Sequence, residues 1–163
     1  MNIALVAHDG RKKELMEWAE YNSKTLSSHN LFATGTTGKL LRDIVYNVEE
    51  YDASTDTSYL HAVTPFRDNV TCLLSGPLGG DQQIGAMIAE GKIDCLIFFC
   101  DNLIIQGHQN DIQGLSRLAS LYNVAFATNR TTADMIMTSP LFDNDNYHRI
   151  IPSVIESYRN RTL

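Results

Sequence analysis

With 163 residues, 44% hydrophobic and 20% charged, the chain has the make-up of a single globular domain that buries roughly two-thirds of its unfolded surface. A formal net charge of −6 argues against a surface for nucleic acid or anionic membrane, and leaves room only for a local basic pocket that holds a small anion. No apolar run approaches the roughly 20 residues of a membrane span, and Met1-Asn-Ile-Ala-Leu-Val-Ala7 enters a strand without the basic start or cleavage region of a signal peptide.

Taken in order, Asn2–Ala7 reads as a short apolar strand that ends at His8-Asp9-Gly10. A helix follows from about Arg11 to Leu26, with Leu15, Trp18, Ala19 and Leu26 as its core-facing stripe. Asn30–Thr34 is the second strand, closed by Gly35-Thr36-Thr37-Gly38, and Lys39–Tyr46 is a short helix with Leu40, Leu41, Ile44 and Val45 on its apolar side. Asn47–Asp68 breaks the rhythm: Glu49, Glu50, Asp52, Asp56 and Asp68 stand against Arg67 alone, in a stretch too long for an ordinary connection. It reads as an insertion or a mobile loop. Its Tyr51, Tyr59, Leu60, Val63 and Phe66 are too many large apolar groups for a solvated tail. The expectation is a partly ordered flap, packed on its own domain or a neighbouring subunit and remote from Asp81.

Asn69–Leu74 is the third strand, and the turn Ser75-Gly-Pro-Leu-Gly-Gly-Asp-Gln-Gln83 leads into a helix to about Gly91, where Ile84, Met87 and Ile88 recur at helical spacing. Cys95–Cys100 is apolar on both faces, as a central parallel strand is. Asp101-Asn102-Leu103 and a loop bearing His108 and Asp111 follow it. Ile112–Tyr122 is helical, Val124–Thr128 is a fifth strand, Thr131–Thr138 is a short helix, and the tail from Ser153 is helical with Pro152 at its entry. The cysteines, Cys72, Cys95 and Cys100, lie in or beside strand-like runs without zinc spacing. They read as buried reduced thiols in a cytoplasmic protein.

These alternations predict one α/β domain over 1–163, a doubly wound parallel five-stranded sheet flanked by helices, interrupted by an insertion at about 47–68. Right-handed crossovers then raise every strand-to-helix loop at one edge of the sheet. His8-Asp9, Thr34–Gly38, Ser75–Asp81, Asp101 and the His108–Asp111 loop converge there, at the place where open α/β sheets hold ligands.

Each of these residues carries two readings. Asp81 is either an N-cap or the base of a reaction. Thr34-Gly-Thr-Thr-Gly38 is either a capped tight turn or a ring of hydroxyls and amides around a phosphate; it lacks Walker-loop spacing. Lys12 supplies positive charge or is solvated, and Lys13 beside it leaves the choice open. His8-Asp9 positions a polar substrate or forms a turn with an N-cap. Asp101 caps a loop or orients another group, and His108 is a catalytic or a solvated histidine. His8, Asp81, Asp101, His108 and Asp111 lack the spacing of a helical metal site, and no metal is expected.

The motifs Ile3-Ala-Leu-Val-Ala-His-Asp9, Ala33-Thr-Gly-Thr-Thr-Gly38 and Leu74-Ser-Gly-Pro-Leu-Gly-Gly-Asp-Gln-Gln83 closely resemble those of the methylglyoxal synthase family. So do Glu90-Gly-Lys-Ile-Asp94, Ile97-Phe-Phe99 with Asp101, and Ala127-Thr-Asn129 with Thr132-Ala-Asp134. The resemblance covers the chain except about Tyr46–Asp68. It implies a Rossmann-like, cytoplasmic, usually homohexameric lyase that converts dihydroxyacetone phosphate to methylglyoxal and inorganic phosphate through an enediolate, with no cofactor or metal. By motif, Asp81 matches the family's base and His108 its histidine near the substrate carbonyl. His8, Lys12, Thr34, Gly35, Thr36, Thr37, Ser75 and Gly76 match substrate- and phosphate-binding positions, and Asp9, Asp101 and Asp111 match supporting carboxylates. Two departures loosen the loop that carries His108 and Asp111: Asn102 before His108 and Asn110 after it stand where the family commonly has proline. The competing reading is a non-catalytic phosphate- or nucleotide-sensing module, like the effector domain attached to some carbamoyl-phosphate synthetases. Such a module has no need of a base, and Asp81, His108, Asp101 and Asp111 together favour the enzyme.

Overall fold

The computed structural model describes residues 1–103 and 109–161. In chain order, β1 (Asn2–Ala7) leads through a 3-10 turn at Asp9–Arg11 into α1 (Lys12–Tyr21) and α2 (Ser23–Leu26). The sequence predicts a single helix here. It breaks at Asn22, where the backbone (φ −94°, ψ 14°) leaves the helical region and the side-chain amide joins the main-chain N–H on the Trp18 carbonyl, at 2.9 Å and 3.1 Å. β2 (Asn30–Ala33) runs directly into α3 (Gly35–Arg42), so the Gly-Thr-Thr-Gly segment is the first turn of a helix rather than a separate loop. That helix stops short of the expected Tyr46, where Arg42 clamps the Val70 carbonyl with Nε at 3.1 Å and Nη2 at 2.6 Å.

Tyr46–Asp52 (β3) and Thr57–Val63 (β4) then form an antiparallel hairpin, registered from Tyr46 opposite Val63 to Asp52 opposite Thr57. The expected flap is therefore a regular two-stranded sheet. Its turn is built from polar groups: Asp52 Oδ1 accepts from the Ser54 amide at 2.8 Å, and Asp56 takes the left-handed conformation at φ 55°. Tyr51 and Leu60 are exposed, whereas Phe66, just beyond the hairpin, is fully buried in the main core. The apolar residues of this segment thus divide between an outward-facing arm and one core anchor.

The chain continues with β5 (Val70–Cys72), a 3-10 turn at Gly76–Leu78, α4 (Gly80–Ala89), β6 (Cys95–Phe99), α5 (Gln109–Leu121), β7 (Ala125–Ala127), α6 (Arg130–Met137) and α7 (Ser153–Arg159). Five strands make one parallel sheet in the order β5-β2-β1-β6-β7. Period-two alternation along the central strands feeds two separate cores. Ile3, Leu5, Ile97 and Phe99 pack beneath α1 and α3 with Leu15, Trp18 and Leu41, and Trp18 Nε1 donates to Asp134 of α6 at 2.8 Å. Ala4, Val6, Leu96 and Phe98 face the opposite layer, with Ile84 and Ile88 of α4 and Ile112 and Leu115 of α5. All five residues of β6 are buried, which explains why its sequence shows no polar face.

The strand order reverses direction between β1 and β6. Chain connections leave β1 towards β2 and β5 on one side, and later towards β6 and β7 on the other. The crevice outside the carboxyl ends of these two central strands is where the topology opens a site. No helix among the described residues is long and apolar enough to cross a membrane.

Candidate active site

At the top of β1, the His8 amide donates to the Phe99 carbonyl at 3.2 Å, extending the strand pairing by one residue. This holds His8, only 6% exposed, beside the end of β6. The ring meets Phe98 edge-on, with centroids 5.0 Å apart, and its Nδ1 accepts the Asp101 amide at 2.7 Å. One turn later Lys12 opens α1. Its ammonium lies 2.5 Å from Asp9 Oδ1, and that hydrogen bond and charge hold the Asp9 carboxyl below the ordinary carboxylate range. The Asp9 side chain is nearly all in solvent while that of Lys12 is largely covered, so Asp9 serves as a tether for Lys12. Lys13 points away, into a loose pair with Glu17 at 3.8 Å.

Thr34 stands at the N-cap of α3 and makes no capping bond among the described residues. Thr37 is 1% exposed, and its enclosed hydroxyl has no hydrogen-bond partner among the described residues. A capped tight turn would have used these hydroxyls on its own amides. Here they border open space, beside first-turn amides that lack partners within the helix. The adjoining loop is tied on by the Gly35 amide, which donates to the Leu74 carbonyl at 3.0 Å, and by Gln83 Oε1, which accepts the Leu74 amide at 2.8 Å.

Asp81 is not an N-cap. Gly79, with φ 106°, occupies that position of α4, and Asp81 lies inside the first turn with 3% of its surface exposed. Its carboxylate lies across Gly76, where an added Cβ would come within 3.0 Å of Oδ1 and 3.1 Å of Oδ2. Glycine at 76 is what leaves room for the carboxylate to face the crevice.

The space between these loops is a cavity of about 660 Å³. His8, Asp9, Lys12, Thr34, Thr36, Thr37, Ser75, Gly76, Asp81 and Asp111 all line it. Gly35, also expected at the site, is not among the lining residues; its amide donates to the Leu74 carbonyl. Asp101 departs from the expected pattern: its carboxylate lies over Gly10 rather than lining the cavity, and Oδ1 accepts the Leu103 amide at 3.2 Å. His108 lies outside the described residues. The apolar wall, Val6, Ala7, Pro77 and Phe98, was not singled out from the sequence. Three of these four lie at the ends of β1 and β6, and the signal that finds them is the strand order, which only the fold supplies. Asp111, at the start of α5, also borders a groove of about 340 Å³ between α4 and α5.

A second cavity of about 430 Å³ lies at the opposite edge of the sheet, near the start of β1 and the residues preceding β6. Among its charged groups, His29 Nε2 lies 3.1 Å from Asp143, and Arg149 donates to the Ile93 carbonyl. Burial pushes the thiols of Cys95 and Cys100 up to about 12 and about 11, so neither is a nucleophile at neutral pH. Among the described residues, no three His, Cys, Asp or Glu side chains are grouped so as to hold a metal ion.

Residues 14–128 match the family model described as an MGS-like domain. The chain is 49% identical over 162 residues to a methylglyoxal synthase of Maridesulfovibrio salexigens, covering 99% of this chain and 97% of that one. It is 48% identical over 149 residues to a methylglyoxal synthase of Proteus mirabilis, covering 91% and 84%. The crystal structure of methylglyoxal synthase from Elizabethkingia anophelis superposes with a TM-score of 0.77 at 38% identity, across 99% of this chain and 91% of that one. Similarity of this depth, running nearly end to end in both sequence and fold, makes the chain a member of the methylglyoxal synthase family.

Proposed function

We propose that the chain is a methylglyoxal synthase, a carbon–oxygen lyase that eliminates phosphate from dihydroxyacetone phosphate. The observation that carries this reading is the buried Asp81, inside the first turn of α4 rather than at its N-cap, sharing one cavity with the enclosed Thr37 hydroxyl and with Lys12. A sensing module of the same fold needs the phosphate loop but has no use for a buried carboxylate aimed across it.

The chemistry follows from a dianionic substrate with an acidic C–H beside a ketone. Thr34, Thr36, Thr37 and the first-turn amides of α3 grip the phosphate, with Lys12 as counter-charge. Asp81 removes the proton, and donors at the carbonyl oxygen stabilise the enediolate that forms. His8 is one such donor; His108 is the second in the assignment that the family resemblance implies. The C–O bond to phosphate then breaks, its electrons leaving with the phosphate as the enediolate collapses. Elimination is favoured when that bond stands perpendicular to the enediolate plane, so the phosphate grip decides between elimination and isomerisation. Asp111 borders the same space as a supporting carboxylate. The free thiols, Cys95 buried and Cys72 and Cys100 half-buried where burial of all three was expected, support a reducing, cytoplasmic setting. Exposed Leu78 and Leu103, on the loops after β5 and β6, support burial between subunits of the homohexamer that the resemblance implies.

The test is direct. Purified protein mixed with dihydroxyacetone phosphate is expected to release inorganic phosphate together with a dicarbonyl product. Because product and substrate phosphate share one loop, added phosphate is expected to compete with substrate. Thr37→Val removes a hydroxyl and keeps the shape, and both phosphate inhibition and substrate affinity are expected to weaken in step. A lost hydrogen bond to a charged group is worth about 1.5–3 kcal/mol, hence roughly tenfold to a hundredfold in each constant. Substrate affinity that drops while phosphate inhibition is unchanged would separate the two sites.

A further inference from the structure

The His8 ring enters the cavity with one nitrogen already committed. A main-chain N–H can only donate, so the 2.7 Å bond from the Asp101 amide requires a lone pair on Nδ1. In the neutral ring the proton then resides on Nε2, which makes His8 a hydrogen-bond donor through that atom. Two other contacts fix the ring plane and root: the edge-on meeting with Phe98 and the bond from the His8 amide to the Phe99 carbonyl. What aims the Asp101 amide is its own side chain. Oδ1 accepts the Leu103 amide at 3.2 Å, closing a tight turn directly after β6, and the carboxylate lies over Gly10, away from the cavity.

We propose that Asp101 is a positioning residue that holds His8 in its Nε2–H tautomer by closing the 101–103 turn, and that it takes no part in proton transfer. This rests on the reading of the cavity as the site of enediolate chemistry, where a neutral imidazole donor is useful at an oxygen that gains charge. The turn requires only an acceptor oxygen at position 101; an acid or base there requires an ionisable carboxyl. Asparagine and alanine therefore separate the two roles.

The experiment uses full-length protein labelled with ¹⁵N-histidine, with His8 identified by its disappearance in His8→Gln. Long-range ¹H–¹⁵N correlations report which ring nitrogen carries the proton, with no dependence on turnover. The wild type and Asp101→Asn are expected to show the Nε2–H pattern at His8, and Asp101→Asn is expected to retain most of its turnover. Asp101→Ala is expected to show both tautomers and to lose about tenfold or more in kcat, the scale of weakening one donor to a developing oxyanion. Asparagine as damaging as alanine, with the His8 pattern intact in both, would overturn the proposal by showing that the charge itself acts. So would an unchanged tautomer in Asp101→Ala, or a wild type protonated on Nδ1. If the wild type releases no phosphate from dihydroxyacetone phosphate, the functional reading fails, and the tautomer comparison still decides the positioning role.

Discussion

Asp81→Asn is expected to lower turnover by about a hundredfold or more, the weight a positioned general base usually carries, while affinity for inorganic phosphate stays near the wild-type value. The substitution isolates one property. Asparagine has nearly the shape of aspartate, so it fits over Gly76 as the carboxylate does, where contacts of 3.0–3.1 Å to an added Cβ mark how little space is spare. The fold loses no cap, because Gly79 and not Asp81 occupies that position of α4. What disappears is the ability to accept a proton. Steady-state phosphate release measures the first effect, and titration calorimetry with inorganic phosphate measures the second. Turnover close to wild type in the asparagine variant would remove Asp81 from the chemistry altogether.

Gly80→Ala is expected to damage the same loop by a different route. An added Cβ at Gly80 would come within 2.1 Å of the Leu74 carbonyl oxygen and 2.9 Å of its carbon. Both are main-chain atoms, so no rotamer change relieves the clash. Nor can Leu74 retreat easily, since its carbonyl holds the Gly35 amide and its amide is held by Gln83. The loops before α3 and α4 must separate or α4 must start elsewhere. A loss of about 3 kcal/mol in stability is expected, at the upper end of ordinary point substitutions. Activity is expected to fall further than stability alone explains, because the displaced residue is the neighbour of Asp81. Gly114→Ala is the control: it lies in the interior of α5 with no described atom within 4 Å of an added Cβ. There alanine is expected to be neutral or to stabilise by about 0.5–1 kcal/mol through helix propensity. Urea unfolding midpoints compare the pair, and a Gly80→Ala midpoint equal to wild type would contradict the steric argument.

Much of this architecture was readable from residues alone, because the informative signals were local. The apolar runs at Asn2–Ala7 and Cys95–Cys100 mark strands buried on both faces, and the handedness of the crossovers then brings distant loops to one edge. Features decided by competition between groups were not readable. The first helix ends at Asn22, where the backbone turns out of the helical region, and no count of apolar periodicity registers that. For Asp81 the residues alone left a cap and a base equally open, and the left-handed Gly79 at the N-cap of α4 decides against the cap. Asp101 was read from its place after a central strand as a loop cap or an orienting group, and from the resemblance as a supporting carboxylate. Its Oδ1 accepts from its own loop, and it is not among the residues lining the cavity. For Tyr46–Val63, the excess of acidic residues obscured a strand-like pattern whose partners are each other. Asp52 and Asp56, counted there as solvating charge, are the groups that shape the turn.

That hairpin has a topological consequence. Its first and last residues, Tyr46 and Val63, face each other across a strand pair, at roughly the 5 Å separation typical of antiparallel neighbours. The chain therefore leaves the body of the protein and returns to nearly the same point, and the path from α3 to β5 is indifferent to how far the arm extends. Adding or deleting residues as opposed pairs near the tip changes the reach of the arm and preserves which side chains share each face. An odd change is different in kind. Side chains alternate with period two, so a single extra residue in one strand forces either a bulge or a slip that turns every later side chain to the other face. Tyr46, whose hydroxyl accepts from Ser23 Oγ at 3.1 Å, is the point at which such a slip would first reach the body of the fold. Length variation in this arm is thus constrained by parity far more than by size.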